Sequence, residues 1–291
     1  GGVLIATPRR DVVLELLPRV QKAFPGFTTA ALYGGSPDRW KAADITLATT
    51  HQLLRFEAAF DLVVLDEVDA FPYHNNPVLM YAARKACRPE GAFVLLSATP
   101  PEPLQRAARR GKLPHVKVPV RYHRRPLPVP VLQKPHRLGA LLRESLERGA
   151  QVFVFVPQIA RLEPELRRLR QALAAHCEPA RIDATSSQDP ERREKVLRFR
   201  AGDIRILLTT TILERGVTIP KSDVIVLDAD SGLFDAAALV QMAGRAGRSA
   251  QDPAGRVVFL ARNRTRAQAE AVRQIRERND LARRKGYLVP E

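Results

Sequence analysis

Two short stretches carry residue types that could act on a phosphate. The first is Asp61-Leu62-Val63-Val64-Leu65-Asp66-Glu67-Val68-Asp69, an apolar run that ends in three carboxylates within four residues. The carboxyl ends of parallel strands are where open α/β sheets carry ligands. At such a place one carboxylate can hold Mg2+, usually through water, and a second can orient or deprotonate the water that attacks a γ-phosphate. Asp66 is assigned to the metal and Glu67 to the water. The second stretch is Gln241-Met242-Ala243-Gly244-Arg245-Ala246-Gly247-Arg248. Arg245 and Arg248, three residues apart, are expected to share one helical face and to reach a triphosphate together. Gly244 and Gly247 are expected to remove side chains where two lobes approach closely. Each pattern alone also has an ordinary reading: acids suit a helix N-terminus through the dipole, and two arginines suit a basic helix end.

Chemistry of this kind needs strands to hold it, and the chain supplies them. Short β-rich apolar runs alternate with helical patterns from end to end, which argues for parallel sheets covered by helices. Strands are expected at Val3–Ala6, Thr29–Tyr33, Ile45–Ala48, Leu62–Leu65 and Phe93–Leu96, with helices at Asp11–Ala23 and Pro77–Ala86. Prolines then cluster, and Arg121–Pro135 reads as a stiff connector, because proline fixes φ and removes a ladder donor. A second alternation follows: strands at Gln151–Val156, Ala180–Ile182, Ile204–Leu208, Val224–Leu227 and Val257–Leu260, and helices at Ile159–Ala174, Pro190–Arg200 and Arg264–Lys285. The expected organisation is α/β with two similar lobes, residues 1–128 and 129–291.

Composition bounds the partners. Lys and Arg number 47 against 31 Asp and Glu, a net charge of +16 that favours a polyanion, either nucleic acid or an anionic membrane face. No run approaches the roughly 18 apolar residues of a membrane span. Cys87 and Cys177 are the only cysteines, so the chain holds neither a disulfide framework nor a four-cysteine zinc site. A reducing, cytoplasmic setting is the default.

Taken with its neighbours, the acidic run resembles motif II of superfamily-2 helicases. Ser97-Ala98-Thr99 at the end of the next strand resembles motif III, Thr209 through Val217 motif V, and Gln241 through Arg248 motif VI. Thr7-Pro8-Arg9 is similar to motif Ia, Gly34-Gly35 to the glycine pair after the next strand, and Ala48-Thr49-Thr50-His51-Gln52 to motif Ib. The resemblance spans nearly the whole chain. It implies two tandem RecA-like domains, each a mostly parallel sheet flanked by helices, with the first incomplete at its N-terminus, and it implies ATP and Mg2+ as cofactors. It places Asp66, Glu67, Gln241, Arg245 and Arg248 at the chemistry, and Glu214 and Gly216 beside the nucleotide. Ser97 and Thr99 would couple hydrolysis to the strand grip. Thr7, Pro8, Arg9, Gly35, Thr49, Thr50, Thr209 and Thr210 would hold single-stranded DNA by its sugar-phosphate, through hydroxyls, backbone amides and charge. Aromatic residues are 6% of the chain, so stacking is expected to contribute less than backbone contacts.

The continuation Asp66-Glu67-Val68-Asp69-Ala70-Phe71-Pro72-Tyr73 resembles the ComFA family of late-competence DNA-import ATPases. That resemblance implies a cytoplasmic motor at the inner face of the membrane, working with a membrane DNA channel and a phosphoribosyltransferase-like competence protein. A primosomal-type replication-restart helicase shares the motif layout, and a catalytically silent DNA-binding scaffold is the reading from outside the enzymes. The phosphate-binding loop, G-x-x-x-x-G-K-[ST], is not in the sequence. Gly111-Lys112 comes nearest, but Arg106 stands where the first glycine belongs and Leu113 replaces Ser/Thr. A strand, loop and helix of that kind need roughly 30 residues, and six precede Thr7. The expectation is a chain truncated ahead of that unit, with negligible ATPase activity on its own.

Overall fold

A computed structural model describes residues 2–69, 73, 76–210 and 219–289. The chain divides into two compact units, Gly1–Val116 and Lys117–Glu291. The division falls ahead of the 128/129 boundary expected from the sequence, and the proline-rich run belongs to the second unit. There it is tied down rather than strung out. Arg124 donates from Nε and Nη2 to the carbonyls of Tyr287 and Gly286, at 2.7 and 3.1 Å. The Asn279 side chain pairs with the backbone of Leu127 at 2.8 and 2.9 Å.

The first unit contains β1 (Val3–Thr7), α1 (Arg10–Ala23), β2 (Thr29–Leu32), β3 (Ile45–Thr49), β4 (Phe60–Leu65), α2 (Pro77–Ala86), β5 (Cys87–Leu95) and α3 (Glu102–Arg109). Its strands form a parallel sheet in the order β2-β3-β1-β4-β5. Leu4, Ala6, Leu47, Ala48, Val63 and Leu65 are buried, the unbroken apolar pattern of strands covered on both faces. The helix α2 begins at Pro77 with the Asn76 side chain accepting from Leu79 N, a cap that fixes where it starts. It buries Leu79, Ala82, Ala83 and Ala86, one stripe at helical spacing. β5 begins six residues before the strand expected there. Cys87 pairs with Phe60 and Ala92 with Leu62, so the intervening residues bulge out of the ladder.

The second unit contains β6 (Val131–Gln133), α4 (Leu138–Glu147), β7 (Gln151–Phe155), α5 (Leu162–Ala172), β8 (Ile182–Thr185), α6 (Arg192–Ala201), β9 (Ile206–Thr209), β10 (Ser222–Val226), α7 (Ala236–Ala243), β11 (Val257–Leu260) and α8 (Arg266–Arg284). Its six strands are parallel, in the order β6-β11-β10-β7-β9-β8. Alternation along β7 divides the core between the two faces of the sheet. Phe153 and Phe155 pack with Phe199, Leu239 and Ile275. Val152 and Val154 pack on the other side with Leu142, Leu166 and Leu169. The strand expected at Ala180–Ile182 lies later, at β8. Pro179–Arg181 instead forms a 3-10 turn with proline in its first position, where a missing N–H costs nothing. Both units are parallel sheets flanked by helices, as expected of tandem RecA-like domains. Among the described residues no helix is long and apolar enough to cross a membrane.

Candidate functional site

In the first unit the expected site residues line up along one rim of the sheet. Thr7 is in register with Thr49, Ala6 with Leu65, and Leu65 with Leu95. The ends of β3, β1, β4 and β5 therefore stand side by side, and Asp66 and Glu67 follow directly after β4. Asp66 N still donates to Ala6 O at 2.9 Å, and Val68 N donates to Leu96 O at 3.2 Å. Between them Glu67 is held at φ 57°, in the left-handed region, which costs a non-glycine residue about 1–2 kcal/mol. The strand ends on either side hold it there. Two carboxylates at such a strand end suit a magnesium ion that keeps most of its waters and takes its other ligands from phosphate oxygens.

Asp69, the third acid, had no role assigned from the sequence. Its carboxylate accepts from Ser97 Oγ at 2.6 Å and from Thr99 Oγ1 at 2.7 Å. The two residues expected to couple the site are thereby tied to the acidic turn, one strand over. The signal that could have found this is the spacing itself, since the three acids and the two hydroxyls all follow the ends of adjacent strands.

Two of the threonines expected to grip sugar-phosphate in this unit face inward. Thr7 and Thr50 are fully buried. Thr7 Oγ1 donates to Arg9 O at 3.1 Å, and Thr50 Oγ1 donates to Thr7 O at 3.1 Å, lacing the loop after β1 to the loop after β3. Pro8, Arg9 and Thr49 are half-buried beside them. Gly35 sits exposed after β2 at φ 78°, a turn that L side chains rarely adopt. Tyr73, from the continuation of the acidic run, is buried under this rim, and burial raises its phenol well above the usual tyrosine range.

In the second unit the pair of arginines is not on a helix. Asp235 caps the start of α7 through Ala238 N at 2.7 Å, and α7 stops at Ala243, with Gln241 half-buried in its last turn. Gly244 to Arg248 then form a tight loop. The expectation of a shared helical face fails because Gly247 takes φ 63°, which ends right-handed winding. The reason for glycine here also lies within the unit. A Cβ on Gly247 would stand 2.4 Å from Pro253 O and 2.9 Å from Pro128 Cγ. Arg245 is buried, at 7% exposure, and its carbonyl accepts from Ser222 Oγ at 3.1 Å. Arg248 is half-buried and donates from Nε to Gly244 O at 2.9 Å.

Three consecutive residues that sequence reasoning did not single out hold this loop. Arg121 donates to Ala246 O at 2.6 Å and to Gly244 O at 3.0 Å. Tyr122 Oη accepts from Ala250 N at 3.2 Å, and His123 Nε2 donates to Gly247 O at 3.0 Å. Burial, with Arg248 close by, pushes Arg121 down to about 10, so it stays charged at neutral pH. No periodicity could reveal a clamp reaching across more than 120 residues. Arg121→Ala is expected to lower the stability of the second unit by about 1–3 kcal/mol, since two loop carbonyls lose their donor. Urea unfolding of the variant checks this; an unchanged midpoint would show that the carbonyls find other partners.

The remaining expected residues of this unit lie elsewhere on it. Thr209 and Thr210 follow the end of β9 and are buried, Thr209 Oγ1 donating to Thr210 O at 3.3 Å. Thr209 is level with Phe155, and Phe155 with Val226, whereas Ser222, which holds the arginine loop, is level with Gln151. Four residues of strand separate the two levels, about 13 Å. The threonines and the arginine loop thus occupy opposite ends of one sheet. Glu214 and Gly216 lie outside the described residues.

With this geometry in view, two family matches fall in tandem on the chain. Residues 1–107 match the DEAD/DEAH box helicase family, and residues 133–250 match the helicase conserved C-terminal domain. The chain is 42% identical to competence protein ComFA of Bacillus subtilis (strain 168) over 293 residues, covering 96% of this chain and 62% of that protein. It is 36% identical to competence protein ComFA of Streptococcus pneumoniae (strain ATCC BAA-255 / R6) over 296 residues, covering 97% of this chain and 67% of that protein. Its fold is similar to that of Mycobacterium smegmatis helicase Lhr bound to ssDNA and AMP-PNP, at a TM-score of 0.65, with 19% identity, covering 96% of this chain and 42% of that one. Helicase domains in tandem, and identity at this level along nearly all of its length, place the chain in the ComFA family of superfamily-2 helicase-like ATPases.

Proposed function

We propose that this chain is the motor core of an ATP-driven translocase that moves single-stranded DNA during natural transformation. The observation that carries the proposal is the shared rim of the first unit. Asp66 and Glu67 follow β4, Asp69 bonds to Ser97 and Thr99 after β5, and the Thr7–Arg9 and Thr49–Thr50 loops follow β1 and β3. Adjacent strands lie about 4.8 Å apart, so a shift at the acidic turn reaches the strand-gripping loops across one or two strand spacings. Magnesium bound with ATP would neutralise charge developing on the phosphates. Asp66 would hold that ion through water and Glu67 would orient the attacking water. Arg245 and Arg248 would supply cations from the second unit. Exposed Gly35, the half-buried Arg9 and Thr49, and the backbone amides beside the inward-facing threonines would track sugar-phosphate without reading bases, so binding would fall steeply with salt. The working location follows from the same reading: the inner face of the membrane, beside a DNA channel and a phosphoribosyltransferase-like competence protein.

The test is ATP turnover and strand movement by the complete gene product. Turnover stimulated by single-stranded DNA, without separation of forked duplexes, is the expected result. Efficient unwinding of forks would replace this reading with a replication-restart helicase. DNA binding with no turnover would replace it with a scaffold.

A further inference from the structure

The loop between β2 and β3 carries the single tryptophan of the chain. Trp40 is 83% exposed, an unusual position for the largest apolar side chain. Two guanidinium groups stand over its ring, with Arg39 Cζ 5.2 Å and Arg55 Cζ 4.9 Å from the centroid. Arg55 is itself fixed, donating to Gln52 Oε1 at 3.1 Å and to Arg39 O at 2.7 Å. It belongs to the 3-10 turn Thr50–Arg55 that follows Thr49, so it joins the loop after β3 to the loop that begins with Gly34-Gly35. The second loop is anchored as well, because the Asp38 carboxylate accepts from Ala31 N of β2 at 3.0 Å.

We infer that Trp40, flanked by Arg39 and Arg55, is a stacking platform for a base of single-stranded DNA whose backbone passes Gly35 and Thr49. The ring stays 83% exposed although two guanidinium groups reach over it, so a base would stack on the open part of the indole against a guanidinium, whose charge then meets the adjoining phosphate. Both loops that build the platform also bear the residues proposed to touch the backbone, so base and backbone are held from one place. Every base has a π-face, so the contact adds grip without sequence preference. The inference rests on the reading that the chain binds single-stranded DNA, and it adds base contact to a grip otherwise made of backbone contacts.

The chain reports on this directly, because its tryptophan emission comes from residue 40 alone. Oligo-dT of about 15 nucleotides is expected to quench that emission on binding. A strand of equal length made of abasic sugar-phosphate is expected to bind about tenfold more weakly and to quench little. Trp40→Ala should lose about tenfold in affinity for oligo-dT, as expected for one stacked base, and bind the abasic strand like the unaltered chain. Trp40→Phe should recover most of the loss. Equal binding of the two strands by the unaltered chain, with oligo-dT affinity untouched in Trp40→Ala, would overturn the platform and leave the DNA-binding reading standing. Equal weakening of both strands by Trp40→Ala would overturn it too, since stacking cannot act on a strand without bases. If the unaltered chain binds neither strand, the platform and the reading beneath it fall together.

Discussion

Arg248→Ala in the complete gene product is expected to cut DNA-stimulated ATP turnover by about a thousandfold or more, the usual scale for a cation that meets charge developing on a transferred phosphoryl group. Arg248 is the more accessible of the two arginines. It is half-buried, and its Nε is fixed to Gly244 O within its own loop. That loop is fixed in turn by Arg121, His123 and Ser222. A charge held this firmly needs no reorganisation when the reaction occurs, which is where electrostatic catalysis gains most. Glu67→Gln should fall by about a hundredfold or more, because the amide keeps the shape but can no longer take a proton from water. Neither change removes a core side chain, so both variants should unfold close to the unaltered protein and still bind single-stranded DNA. Arg245→Ala differs: that side chain is buried, and its loss should lower stability along with turnover. If Arg248→Ala and Glu67→Gln both hydrolyse ATP at the unaltered rate, the site has been placed on the wrong residues.

Much of this was legible because buried parallel strands are written as unbroken apolar runs, and the residues after such a run occupy a predictable rim. Asp66, Glu67 and Ser97 are legible that way, Thr7 and Thr49 only through the motif resemblance, and the structure sets all five at neighbouring strand ends. The helix α2 was found at its observed limits, since Asn76 and Pro77 mark its start chemically. What was illegible depends on contacts distant in sequence. β6 is three residues long between prolines, too short to show a period. Gly247 has no room for a side chain because Pro128, more than a hundred residues earlier, packs against it, and no local window contains that contact. At Thr7, Thr50 and Thr209 the hydroxyls donate to backbone carbonyls, and such inward bonds leave no trace in residue type. Trp40 was passed over for a related reason: a low aromatic content says nothing about where a single ring stands.

Asp223→Ala is expected to destabilise the second unit by about 3 kcal/mol, the low end for breaking a buried ion pair, because both arginines keep a second carboxylate. Asp223 is the second residue of β10 and 1% exposed. Its carboxylate accepts from Arg148 Nη2 at 2.6 Å, Ser145 Oγ at 2.7 Å and Arg256 N at 2.7 Å, with Arg256 Nε at 3.4 Å. Arg148 also bonds Asp252 at 2.8 Å and Arg256 bonds Glu144 at 2.8 Å. One buried anion therefore joins α4, β10 and the segment that runs from the arginine loop into β11. Removing it takes from each of two part-buried guanidinium groups one of its two carboxylate partners, and leaves the Ser145 hydroxyl and the Arg256 N–H without their acceptor; a buried polar group left without its partner costs more than the intact bond contributes. For a unit of this size the melting midpoint should fall by roughly 10 °C. Asp223→Asn, which keeps an acceptor while losing the charge, should cost less. A midpoint that moves by less than about 2 °C in Asp223→Ala would mean that Glu144 and Asp252 carry both arginines unaided. The arginine loop would keep its place even then, because Arg121, His123 and Ser222 hold it directly.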